Sequence, residues 1–73
     1  MSMDVLYAII LPDGQCWTTT PICEQAVKAA KAKAKSEGIP VEVARHNLRT
    51  GQVRRNIYHP DGTMEKLWLS KRQ

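Results

Sequence analysis

The chain has 73 residues, of which 42% are hydrophobic and 25% are charged, and its formal net charge is +4. This length predicts one domain over residues 1–73 and excludes a second. No apolar run approaches the roughly 20 residues of a membrane-spanning helix, and the acidic start is unlike a secretory signal. We therefore expect a soluble, cytoplasmic protein with no membrane partner and with reduced thiols at Cys16 and Cys23.

The first part of the chain predicts a hairpin and then a helix. Residues 4–11 are apolar on both alternating faces, which is typical of an interior strand. Pro-Asp-Gly at 12–14 favours a three-residue hairpin loop that leads into a second strand over about 15–19. A helix should follow over about 21–37, with Thr20 as its N-terminal cap and a glycine at its C-terminal end. Its alanines form one apolar arc, and most of its lysines lie on the opposite side.

The second part of the chain predicts three more strands, over 41–48, 52–59 and 63–69. Another Pro-Asp-Gly segment joins the last two of them. The predicted fold is therefore α+β with the element order ββαβββ, in which one helix is packed on a five-stranded, mainly antiparallel sheet. The two Pro-Asp-Gly segments are then the tips of two hairpins of the same design.

Positive charge is concentrated in the second part. Residues 1–27 contain three acids and no Lys or Arg, whereas residues 28–73 contain all 11 bases and four acids. A basic segment attracts anionic partners through a field that salt screens. Loop lengths place Arg45 opposite Arg54 and Arg54 beside Trp68, so one face of the sheet carries bases between aromatic rings. Two facing arginines repel each other unless an anion bridges them.

The sequence leaves open which face of the sheet packs on the helix. The face opposite the basic one is richer in aliphatic residues, so we expect it to pack on the helix and leave the basic face exposed. In a second arrangement Val43, Tyr58, Met64 and Trp68 form the core, with the arginines at its rim. In a third arrangement two copies of the chain bury the basic face together.

Residues suited to catalysis or metal binding are few. Cys16 and Cys23 are not spaced like zinc ligands, and His46 and His59 should lie about 20 Å apart, too far to act on one phosphate. No nucleotide-binding or serine-hydrolase motif occurs in the sequence. We therefore predict no enzymatic activity, no metal and no cofactor.

Three segments, YAIILPDGQCW, EQAVKAAKAKAKSEG and VEVARHNLRTGQVRRNIYHPDGTMEKLW, cover nearly the whole chain. In element order, length and turns the chain resembles the small ββαβββ or ββαββ proteins of phages, prophages and related mobile elements. That group includes several inhibitors of bacterial CRISPR defence. The resemblance implies a compact, non-catalytic protein that binds a host protein or a nucleoprotein.

Our leading expectation is a small basic binding module that engages nucleic acid or a nucleoprotein through the basic face. The side chains expected to hold phosphates or carboxylates, or to stack on bases, are Arg45, Arg49, Arg54, Tyr58, Lys66 and Trp68, with the helix lysines Lys28, Lys31 and Lys35. The alternative is a protein–protein interaction module. In that case a host protein, or a second copy in a homodimer, buries the same face.

Overall fold

Five strands and one helix follow one another in the computed structural model, which describes residues 4–68, with Trp68 described through its backbone. The elements are β1 at Val5–Ile10, β2 at Cys16–Thr20, α1 at Cys23–Glu37, β3 at Val41–Asn47, β4 at Val53–Tyr58 and β5 at Met64–Trp68. The strand order is β2-β1-β3-β4-β5, and every neighbouring pair is antiparallel. The predicted ββαβββ fold is confirmed. Within residues 4–68 no helix is long and apolar enough to cross a membrane.

Both Pro-Asp-Gly loops have the conformation that the sequence predicts. The Asp13 carboxylate accepts the N–H of Gln15 at 2.9 Å, and the Asp61 carboxylate accepts the N–H of Thr63 at 2.9 Å. The glycine after each aspartate has a positive φ, 89° and 95° respectively, which residues with a side chain rarely adopt. Because the hydrogen bonds from Thr63 favour the charged carboxylate, they lower the pKa of Asp61. The hairpins at the two edges of the sheet are therefore closed in the same way.

The registers of β3, β4 and β5 also agree with the prediction. Arg45 lies opposite Arg54, and Arg54 lies opposite Trp68 in the backbone pairing. The side chain of Trp68 lies outside the described part of the chain, so the stacking surface expected there stays a prediction.

The helix begins two residues later than the sequence predicts. Thr20 belongs to β2, and its hydroxyl accepts the N–H of Ile22 at 3.2 Å before α1 starts, so it does not cap the first helical turn. At the other end Gly38 has a left-handed φ of 65°, and its N–H donates to the carbonyl of Ala34 at 2.9 Å. The predicted glycine stop is confirmed.

The core lies between α1 and the central strands. Ala26, Ala30 and Ala34 are fully buried, and so are Ile9 on β1 and Val41 on β3. Alanine side chains are short, so the helix backbone can approach the sheet closely. Each fully buried aliphatic side chain of the sheet contributes about 1.5–3 kcal/mol relative to its exposed state.

The expectation that the aliphatic-rich face packs on the helix is wrong. α1 packs on the opposite face, where Val43 and Tyr58 belong to the core, as in the second arrangement, although Met64 stays 44% exposed. The physical reason is the position of α1, which lies over β1 and β3 and does not approach the described part of β5. Aliphatic residues on β4 and β5 therefore have little influence on which face of the sheet packs against α1. On β3, Val41 and Val43 offer more apolar surface to the helix than Ala44 would offer from the other face.

The alternation of side chains along the strands divides the sheet into two faces. The helix-side face carries Tyr7, Ile9, Val41, Val43, Arg45, Arg54, Asn56, Tyr58, Met64 and Lys66. The open face carries Leu6, Ala8, Ile10, Glu42, Ala44, His46, Val53, Arg55, Ile57, Glu65 and Leu67. The basic residues thus share a face with the helix, and their accessibility depends on how much of that face α1 covers.

Candidate anion-binding groove

The helix covers only part of the helix-side face, and the uncovered part forms a groove. α1 packs on β1, β2 and β3 and reaches β4, but it stays away from the described part of β5. Between α1 and the outer strands lies a cavity of about 210 Å³. We call this cavity the basic groove, and its lining includes Tyr7, Cys23, Val27, Arg45, Arg54, Asn56, Tyr58 and Lys66.

Three cations of the helix-side face line the floor of the basic groove. Arg45 and Arg54 lie directly opposite each other on β3 and β4, and Lys66 on β5 lies opposite Asn56. No Asp or Glu is among the lining residues. Within residues 4–68 no carboxylate oxygen lies within 4.0 Å of the charged nitrogens of Arg45 or Lys66. Among the described residues, the groove therefore concentrates positive charge and is lined by no acid.

The first two turns of α1 form one wall of the groove. Cys23, the first helical residue, and Val27 line it, so the positive end of the helix dipole lies beside the three cations. Glu24 belongs to the same turn but does not line the groove. Farther along the helix, the Lys31 ammonium lies 5.9 Å from the centre of the Tyr58 ring. These features all attract negative charge to the same place.

The ring of Tyr58 belongs to the core and is not a stacking platform. Only 7% of this residue is exposed. Burial raises the pKa of the Tyr58 phenol, and the electrostatic influence of the Cys23 thiol raises it further. A base has no access to the face of this ring, so the expected stacking on Tyr58 does not agree with its position.

Three of the basic residues predicted as a site lie outside the groove. Lys28 and Lys35 are exposed on the outer side of α1, away from its buried alanines. Arg49 lies in the loop between β3 and β4, where its guanidinium is 3.7 Å from the Asp4 carboxylate. The fold thus brings together the three cations of the helix-side face, places Lys31 beside the Tyr58 ring, and leaves Lys28, Lys35 and Arg49 apart.

The open face carries an ion pair that the sequence analysis missed. Arg55 donates two hydrogen bonds of 2.6 Å to the carboxylate of Glu42, whose side chain is only 12% exposed. The hydrogen bond to Glu42 raises the pKa of Arg55. The two residues are diagonal neighbours in the register that the loop lengths predicted. Diagonal pairs of opposite charge were the signal that could have revealed this contact.

The side chains of the basic groove suit an anion. Arginine and lysine only donate hydrogen bonds, and the planar guanidinium matches the paired oxygens of a phosphate or a carboxylate. Across residues 4–68 no three His, Cys, Asp or Glu side chains are grouped so that they could hold a metal ion.

No protein-family model matches the chain, and no curated protein or solved structure matches it either.

Proposed function

We propose that this protein is a small, non-enzymatic module that binds single-stranded nucleic acid by its phosphates in the basic groove. The observation that supports this most directly is the placement of Arg45, Arg54 and Lys66 side by side in a groove that no Asp or Glu of residues 4–68 lines. A phosphate between the two arginines would relieve their mutual repulsion. Affinity would therefore come from positive charge that the sheet concentrates in one place.

The shape of the groove favours a single strand over a duplex. Arg45 is only partly exposed, and it lies between Tyr7 on β1 and Arg54 on β4. A single phosphodiester chain is narrow enough to follow a cleft between α1 and the outer strands. A duplex is wider, and the helix would hold its backbone away from the groove floor. Positively charged grooves are the usual means by which proteins hold single strands without reading their sequence.

An acidic protein segment would offer similar chemistry, because carboxylates also accept two hydrogen bonds from arginine. We favour phosphate because the cations extend over three adjacent strands, β3 to β5, as binding to a regularly charged polymer requires. The phage or mobile-element origin that the resemblance implies is part of the same proposal. The bound strand would then be part of a nucleoprotein of the host.

Fluorescence anisotropy with labelled random-sequence single strands and the matching duplex, across a salt series, tests this proposal. Three phosphate contacts on a single strand predict a log–log slope of affinity against salt of about −2.1, at about 0.7 per contact. We expect the single strand to bind more tightly than the duplex. Absence of binding at the lowest salt would contradict the proposal, and tighter binding of an acidic peptide would assign the groove to a protein partner.

Variants that each remove one positive charge locate the site. Arg45→Gln and Lys66→Gln should weaken binding and reduce the magnitude of the slope by about 0.7 each, because each removes one phosphate contact. Lys35→Gln is the matched control, since it makes the same charge change on the outer side of α1. Equal losses in all three variants would mean that binding follows net charge and does not involve the groove.

A further inference from the structure

The open face presents apolar side chains without a covering element in the described part of the chain. Leu6, Ile10, Val53 and Ile57 are only partly buried there, and two small alanines lie at the centre of the face. Extended apolar surface of this kind is uncommon on monomeric proteins and marks an interaction site. We propose that a second copy of this chain packs on the open face, sheet against sheet, and forms a two-fold dimer. This proposal does not depend on the function of the groove.

The charges of the open face favour a second copy over an anionic partner. Its acids, Glu42 and Glu65, contact Arg55 and His59 of the same face, whereas the helix-side face carries three cations. A surface with both signs of charge can complement itself across a two-fold axis. Packing through this face also keeps the basic grooves of the two copies on the outside, so the charge of +4 on each copy causes little repulsion at the interface.

The shape of the open face also allows it to fit a second copy of itself. At one end of the strands, Pro12, Pro40 and two isoleucines surround a depression of about 250 Å³. At the other end Leu48 is 60% exposed, and it extends the β1–β3 ladder because its N–H donates to the carbonyl of Asp4 at 2.7 Å. About six residues of strand, or about 20 Å, separate the two features. A two-fold axis across the middle of the strands would place Leu48 of each copy over the depression of the other.

The area of the face indicates what kind of dimer to expect. Five strands about 4.8 Å apart and about six residues long, at about 3.3 Å per residue, cover roughly 24 by 20 Å. Two such faces bury on the order of 1,000 Å², which is near the lower bound for a biological interface and below the standard size of about 1,600 Å². We therefore expect a dimer that forms at high protein concentration and dissociates on dilution.

Sedimentation velocity over a dilution series, without nucleic acid, measures this equilibrium. We expect a concentration-dependent shift from monomer to dimer that persists in high salt, because the interface is largely apolar and its main ion pair is shielded from solvent. A protein that stays monomeric up to near-millimolar concentration would overturn the proposal. Because no nucleic acid is present, that result would leave the proposed function of the groove untouched.

Leu48→Glu and Met64→Glu form a matched pair, since the two side chains are 60% and 44% exposed on opposite faces. Leu48→Glu should weaken dimerisation at least about tenfold, because it would bury a carboxylate in an apolar depression whose one cation, Arg55, already binds Glu42. Met64→Glu should leave dimerisation unchanged. Val53→Lys, on the open face of β4, should act like Leu48→Glu, and circular dichroism checks that each variant is folded.

Two outcomes of this comparison would assign the interface to another surface, such as the edge strand β2, and would overturn the proposal. One is a dimer that survives Leu48→Glu. The other is a dimer that Met64→Glu disrupts to the same extent.

Discussion

Arg54 and Arg55 are neighbours in the sequence, but they lie on opposite faces of one sheet in contrasting surroundings. Arg54 lies opposite Arg45 in the basic groove, which no Asp or Glu of residues 4–68 lines. Arg55 donates two hydrogen bonds to the shielded carboxylate of Glu42. On the open face the charge of Arg55 is thus paired with Glu42, whereas the described residues of the helix-side face place three cations close together. Under the proposed function, these cations hold the phosphates of a bound strand.

The two faces also differ in how they bury apolar side chains. Ile9 on the helix-side face is fully buried beneath the alanines of α1. Ile10, the next residue of the same strand, lies on the open face and stays partly exposed. Identical side chains at adjacent positions should therefore contribute unequally to stability.

The largest expected effect tests that inequality. Ile9→Ala should lower the free energy of unfolding by about 2–5 kcal/mol, because it leaves a cavity between α1 and the sheet. Ile10→Ala should lower it by about 1 kcal/mol, because only part of its side chain is removed from water. Urea unfolding followed by circular dichroism at low protein concentration measures both values. Equal losses would contradict the one-sided packing of α1.

An intermediate effect concerns the ion pair of the open face. Glu42→Gln should lower the free energy of unfolding by about 1–3 kcal/mol, because it removes the charge that Arg55 binds in a shielded site. Glu65→Gln is the matched control on the same face, since its side chain is 59% exposed beside His59. The control should change stability by less than about 0.5 kcal/mol. If the two variants unfold at the same urea concentration, water screens the Glu42 pair as well.

The smallest expected effect concerns the facing arginines of the helix-side face. Arg45→Gln should raise the free energy of unfolding by some tenths of a kcal/mol at low salt, and the gain should shrink as salt screens the repulsion. Arg49→Gln, at an exposed loop position, should give no gain. Lower stability of Arg45→Gln at every salt concentration would show that the guanidinium contributes more through packing than it costs through repulsion.

The element order, the hairpin loops and the registers could be predicted because they depend on local chemistry. Asp13 and Asp61 form the same hydrogen bond within their own loops, and each is followed by a glycine with positive φ. Loop length then fixes which residues face each other, and Arg45 lies opposite Arg54 as expected. None of these features requires knowledge of distant parts of the chain.

The position of the helix could not be predicted in the same way. β1 is apolar on both sides, so its sequence does not indicate which side α1 covers. β2 and β3 run parallel on either side of β1, and α1 connects them. Such crossovers are strongly biased to a right-handed path, which favours one face. That rule applies only when the strand order is known, and the chemistry of the turns does not determine the strand order.

The candidate site shows the same division between local and distant information. Arg45, Arg54 and Lys66 were expected on one face from the register alone, and they do line one groove. The sequence left the burial of Tyr58 open between two arrangements, because it depends on how far α1 extends across the sheet. Composition likewise predicts a basic protein, but it does not separate the groove cations from exposed ones such as Lys28.

The two thiols of the protein border different surfaces. Cys23 lines the basic groove, and Cys16 pairs with Ile10 at the margin of the open face. Both are free and exposed, so an alkylating reagent can reach each of them. An occupied groove should slow modification of Cys23, and a neighbouring sheet should slow modification of Cys16. Mass spectrometry of the unaltered chain would thus give a separate footprint for each surface, with no engineered probe.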